Sequence, residues 1–306
     1  MRNYGKNKKN KSLDCISAIF CVGGEMLFKN GEDSFYYAAT NKESIVSVFD
    51  GCGGIGSRRY NNYSGKTGAY IASRAVCGGV KQWFESENKS TDTMYEYIKR
   101  TLEICDKFAD EKGRIKGSLG GKTFPTTAAV IYTQGNTATC FWAGDSRCYM
   151  LDSDGLHQLS DDDISGEDAL SNISGDGVLT NVICSSNQFT LHSKKVKINR
   201  PCALFTATDG CFGYISTPMD FEYLLTDTLI SSNSLVAWKR MLDAKISEYT
   251  GDDDNLCMSL HGYNSFEDIK NGFAERNTFV KKQYIECELA AEIKWEHYKN
   301  EYSKYL

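Results

Sequence analysis

Three acidic residues stand at the ends of apolar runs that lie far apart in the chain. Asp50 closes IVSVF, Asp209 follows ALFTAT, and Asp254 immediately precedes NLCMSL. Short runs rich in β-branched and aromatic residues read as buried strands, so each acid falls at the rim of a sheet. If those strands are neighbours, the carboxylates converge. Carboxylates forced together repel one another and need protons or cations. Hard divalent ions with oxygen ligands, Mg²⁺ or Mn²⁺, meet that need. Two such ions roughly 4 Å apart can bridge a water and lower its pKa toward ~7. The hydroxide so formed suits an electrophile such as phosphorus, and no nucleophilic side chain is then required. Asp50 also leads into Gly51, Gly53, Gly54 and Gly56. Such a loop lets backbone approach a ligand closely, although Asp-Gly pairs also make ordinary surface turns.

The elements that must place these acids follow from the apolar patterning. Strands are predicted at residues 12–22, 34–39, 45–49, 126–133, 138–143, 147–151, 179–184, 189–198, 203–207 and 256–260. Three- and four-residue apolar spacing predicts helices over 63–84, 91–112, 221–229 and 234–249. Gly78 and Gly79 weaken the first, and Thr91 is positioned to cap the second. Strands and helices come in blocks, which favours an α+β fold with antiparallel sheets over a doubly wound parallel sheet. Beyond Gly262 the composition shifts to Glu, Lys and aromatics, with no glycine after Gly272. Residues 263–306 therefore read as a helical extension. Phe279, Ile285, Leu289, Ile293, Trp295 and Tyr298 would dock it on the domain or on a partner. Residues 1–11 read as a basic flexible tail and 12–262 as one domain.

Composition narrows the function. The net charge of −5, with acids spread along the chain, argues against a nucleic-acid groove, which needs clustered Lys and Arg. The twelve cysteines contain no CxxC pair, and several sit inside apolar runs as small hydrophobes. That usage points to a reducing cytosol without a disulfide framework. Absent ligand spacing and only four histidines speak against structural zinc. No apolar run is long enough to span a bilayer.

Six pieces then fall in one order: VFDGCGG, TTAAVIYTQGNTATCFWAGDSRCYML, LSDDD, GVLTN, ALFTATDG and DDDN, with NGEDSF ahead of them. Over residues 12–262 this order resembles the PPM/PP2C-type protein phosphatases, in a bacterial-like form. The resemblance implies a four-layer αββα sandwich of two antiparallel sheets, with a binuclear Mn/Mg centre at one edge. It implies hydrolysis of phosphoserine and phosphothreonine monoesters of phosphorylated proteins, by a water or hydroxide bridging the two ions. Carried over, Asp50 bridges both ions, Gly51 lends its carbonyl, and Asp209 and Asp254 complete the second site. Glu32 and Asp33 would hold metal-bound waters. Asp145 matches an acid that binds a third, weaker ion, but Gly213 stands where its usual co-ligand would be, so a third ion is not expected. Cys52 occupies the position of a histidine that serves many members as leaving-group acid. The phosphate-binding arginine expected before NGEDSF is missing, and Lys29 is the only nearby cation; Arg58 and Arg59 lie just past the glycine loop. The alternative is a pseudophosphatase, the same fold kept as a binding or regulatory module.

Overall fold

The computed structural model describes residues 13, 15–26, 29–109, 124–165, 178–185 and 188–306. The basic tail expected at 1–11 lies outside them. Among the described residues no helix is long and apolar enough to cross a membrane, and all twelve cysteines are free thiols.

Two antiparallel sheets of five strands form the centre. The first runs in the order β1 (Ile16–Gly24), β12 (Asp254–His261), β11 (Cys202–Ala207), β8 (Arg147–Asp152), β9 (Gly155–Gln158). The second is ordered β10 (His192–Lys197), β7 (Thr137–Ala143), β6 (Ala128–Gln134), β3 (Glu43–Phe49), β2 (Ser34–Ala39). A small ribbon pairs β4 (Arg59–Tyr60) with β5 (Lys66–Thr67). Residues 179–184, expected as a strand, make only isolated bridges, Ile183 to Thr126 and Leu179 to Ile164. The central β3, β6 and β11 are buried on both faces, which is why they read as unbroken apolar runs.

Three apolar layers result. Between the sheets lie mostly small side chains, among them Cys21, Cys140, Cys148, Cys202 and Cys257 with Val46, Ala129 and Leu204. The outer face of the second sheet packs on α1 (Gly68–Glu85) and α2 (Thr91–Phe108) through Trp83, Val76, Ile98 and Phe141. Ser90, not Thr91, caps α2, its Oγ accepting from Thr93 N at 3.2 Å. The glycines that weakened the sequence reading of α1 have a packing reason. A Cβ on Gly79 would come within 3.0 Å of Ile98 Cα, so glycine lets the two helices close on each other.

The outer face of the first sheet carries α3 (Pro218–Ser231), α4 (Leu235–Tyr249), α5 (Phe266–Val280) and α6 (Ala291–Tyr302). The C-terminal helices dock through Ile269, Phe273, Trp295, Tyr298 and Tyr302. Phe279, Leu289 and Ile293, expected to help, are exposed. The docking is locked by Glu222 of α3, fully buried, whose carboxylate accepts from Arg276 Nε at 2.5 Å and from the Tyr298 hydroxyl at 2.5 Å.

Candidate metal centre

At one end of the sandwich the rims of both sheets meet. β3 delivers Asp50, whose main chain is tied to β6. Asp50 O accepts from Thr126 Oγ1 at 2.6 Å and Thr127 N at 2.8 Å, and Asp50 N donates to Thr127 Oγ1 at 3.3 Å. Asp33 immediately precedes β2 and is 8% exposed. β11 leads into the one-turn helix Asp209–Phe212, where Asp209 Oδ1 accepts from Gly210 N at 2.9 Å. Asp145 sits in the tight connection between β7 and β8, after Gly144 at φ +96°.

These four carboxyls act on one another. Burial raises Asp50 well above the usual carboxylate range, and Asp33, Asp209 and Asp145 raise it further. Asp33 is likewise raised by burial, offset by hydrogen bonds to Asp50 and Thr208 and reinforced by Asp209 and Asp253. Burial and Asp209 push Asp145 up to about 7. Asp209 is raised by burial and by Asp252. Oδ2 of Asp33 and Oδ1 of Asp145 are buried without a hydrogen-bond partner. The cation acting on Asp145 and Asp209 is Arg147, and its guanidinium is held by Asp162 at 2.6 Å while lying 4.2 Å over the Phe212 ring. Among the described residues no three acid, His or Cys side chains close a ready coordination shell. The acids stand as neighbours, with Asp33 and Asp50 sharing a hydrogen bond.

The structure does not bring Asp254 into this group. Along β12, Leu256, Met258 and Leu260 face the helices, whereas Cys257 faces the other sheet. Strand alternation puts Asp254 on the helix side. There it lies against Gly24 and Asp243, and burial followed by Asp243 pushes it up to about 6. Asp253, its neighbour, points the other way and holds the N-terminal loop. Its Oδ1 accepts from Met26 N at 2.7 Å and its Oδ2 from Glu32 N at 2.6 Å.

The remaining sequence-derived residues divide. Asp33 stands inside the group, hydrogen-bonded to Asp50 and Thr208. The Glu32 carboxylate accepts from the Thr67 hydroxyl, with its other oxygen beside Gly53 of the glycine loop. Gly51 is wedged so that a Cβ would sit 2.7 Å from both Ala69 O and Glu32 O. The Cys52 thiol is pushed well up by burial, then by Asp50, Asp145 and Asp209. A cleft of about 260 Å³ is lined by Glu32, Asp252 and Asp253 together with Arg59, Lys66 and Tyr70. Lys29 meets Lys66 of that lining through its carbonyl, which accepts from Lys66 Nζ. Lys66, Asp253 and the Arg147–Asp162 pair were not singled out from sequence. The alternation of NLCMSL did carry the signal for Asp253, because it separates the two faces of β12.

A family model described as protein phosphatase 2C matches residues 29–245. No protein of curated function matches the chain. Among solved structures, the serine/threonine phosphatase Stp1 from Staphylococcus aureus superposes with a TM-score of 0.60 at 15% identity, covering 84% of this chain and 99% of that one. The Mycobacterium tuberculosis serine/threonine phosphatase PstP/Ppp gives 0.58 at 14% identity, covering 81% and 100%. The PstP catalytic domain in complex with two manganese ions gives 0.54 at 15% identity, covering 80% and 98%. These likenesses carry the fold: a layered sandwich of two antiparallel sheets between helices.

Proposed function

The chain belongs to the protein phosphatase 2C family, and from that premise we propose that it hydrolyses phosphoserine and phosphothreonine monoesters in proteins with two Mn²⁺ or Mg²⁺ ions at the acidic rim. The observation that carries the reading is the set Asp33, Asp50, Asp145 and Asp209, in which burial and neighbouring carboxylates raise Asp50 and Asp145 and in which Asp33 Oδ2 and Asp145 Oδ1 are buried with no hydrogen-bond partner among the described residues. Such oxygens are costly to bury unless a proton or a cation meets them. An all-oxygen donor set suits hard divalent ions, and the two manganese ions in the PstP structure support a two-ion centre.

Asp50 and Asp209 would hold the ions, flanked by Asp33 and Asp145 and joined by the Gly51 carbonyl. Asp254, on the other face of β12, reaches them only if the start of that strand turns. When bound, such ions offset the phosphoryl charge and lower the pKa of an attacking water. The chain's own residues orient. Thr126 and Thr127 fix the Asp50 main chain. Asp253 pins the loop that brings Glu32 to the cleft. Cys52, whose thiol is pushed up by burial in the metal-free protein, is not a nucleophile. The twelve free thiols support a cytosolic setting.

The test is phosphate release from a phosphothreonine peptide by the full chain. Turnover should require Mn²⁺ or Mg²⁺, cease with chelator, and fall at least ~100-fold in Asp50→Asn and Asp209→Asn. Folded protein that binds the peptide without turnover, at any metal concentration, would make the chain a binding module instead.

A further inference from the structure

The geometry points to Lys66 as the cation that receives the substrate phosphate, an assignment that rests on the phosphatase reading above. A phosphomonoester dianion entering a cleft lined by Glu32, Asp252 and Asp253 is repelled unless fixed positive charge lines it too. The cleft supplies that charge from Arg59 and Lys66, which line it together with Glu32, Asp252 and Asp253; Asp252 and Asp253 in turn act on Asp209 and Asp33 of the acidic rim.

Lys66 is the better placed of the two. It belongs to β5, so its main chain is set by the β4–β5 ribbon. Its ammonium donates to Lys29 O and to Asn30 Oδ1 at 2.8 Å, and stands 4.2 Å over the Tyr70 ring. An ammonium has three donors, and these acceptors take two. The charge is thus held at the wall with donor capacity in hand, so little side-chain entropy remains to be lost on binding.

The other cations nearby are otherwise engaged. Arg74 is occupied: its guanidinium donates to Glu32 O at 3.1 Å, Gly31 O at 2.9 Å and Ser73 Oγ at 3.0 Å, and stacks 3.6 Å over Tyr70. Arg58 lies over the Tyr60 ring at 5.1 Å. Arg59 donates to Gly65 O at 2.9 Å and is exposed, which places it at the outer rim. Lys66 therefore takes the part for which the chain has no arginine before NGEDSF. A lysine offers a point charge, not a fork, so recognition is of the charge of the dianion more than of its geometry.

Steady-state kinetics of the Mn²⁺-loaded full chain on p-nitrophenyl phosphate and a phosphothreonine peptide, with inorganic phosphate as inhibitor, test this. Lys66→Gln keeps a donor for Asn30 and removes the charge. It should raise KM and the phosphate inhibition constant about tenfold, with kcat and the Mn²⁺ requirement changed less than about threefold. Lys66→Arg should restore both constants. Unchanged KM and unchanged phosphate inhibition in Lys66→Gln would overturn the assignment while leaving the phosphatase reading intact. Calorimetric titration of inorganic phosphate into the Mn²⁺-loaded protein reads the same point without turnover. If the wild type turns over no substrate, the phosphatase reading falls. A tenfold weaker phosphate isotherm in Lys66→Gln would then still support the cation site, and equal isotherms would reject it.

Discussion

Replacing Asp145 by Asn should stabilise the metal-free protein. Its carboxyl is pushed from 3.8 up to about 7 by burial and by Asp209. That displacement corresponds to about 4 kcal/mol of penalty on the folded state once the group must ionise. Asparagine keeps the shape and removes the charge. Leaving a buried amide imperfectly satisfied, with Asp145 Oδ1 already unpartnered, takes back roughly 1–2 kcal/mol. A net gain of ~2 kcal/mol should raise Tm in chelator at pH 8 by about 3 °C for a chain of 306 residues. The pH dependence has a definite sign. The folded form keeps this proton up to about 7, and the unfolded form loses it near 3.8. The wild type's share of stability from this group is full below ~4 and is lost as pH climbs to about 7. Asp145→Asn should lack that slope. Added Mn²⁺ should narrow the gap, because the wild type gains about 2.7 kcal/mol at a hundredfold excess over Kd and the variant gains less. A variant that melts below the wild type in chelator, yet gains as much from Mn²⁺, would refute the reasoning.

Other expectations rest on separate parts of the fold. Burial pushes His261 down to about 4, so it stays neutral when folded, and its stability share is full above ~6.5 and falls by up to ~3 kcal/mol as pH drops toward 4; His261→Gln should flatten the acid limb of urea titrations. Arg276→Met leaves the buried Glu222 carboxylate with the Tyr298 hydroxyl and without its ion-pair partner, and should cost ~3–5 kcal/mol by urea midpoint, partly recovered in the double variant with Glu222→Gln. Gly210→Ala would drive a Cβ into Asp253 O, forcing the start of β12 away from Asp209; metal-dependent turnover should fall about tenfold or more, with a Tm drop of only a few degrees.

The layers and the acid-bearing strand ends were legible in the residues, because burial imposes period-two and period-3.6 apolar patterns that a linear chain displays. Asp50 after IVSVF and Asp209 after ALFTAT stand at sheet rims as read. The run at 179–184 looked like a strand for the same reason but forms only bridges, since apolar content reports burial and not pairing. Trp295 and Tyr298 docked as expected while Phe279 and Ile293 did not, because which face of a helix meets the core depends on how the preceding turn exits.

What no linear pattern could state is distance between segments. Asp33 sharing a hydrogen bond with Asp50, Asp145 beside Asp209, and Lys66 at the cleft wall each join stretches whose proximity depends on how the two sheets stack and where the ribbon folds over. Residue types declared the chemistry, acids at strand ends in want of cations. The pleat of β12 and the meeting of two sheet rims chose which acids share a space, because electrostatic coupling falls off with separation in three dimensions and is blind to separation along the chain.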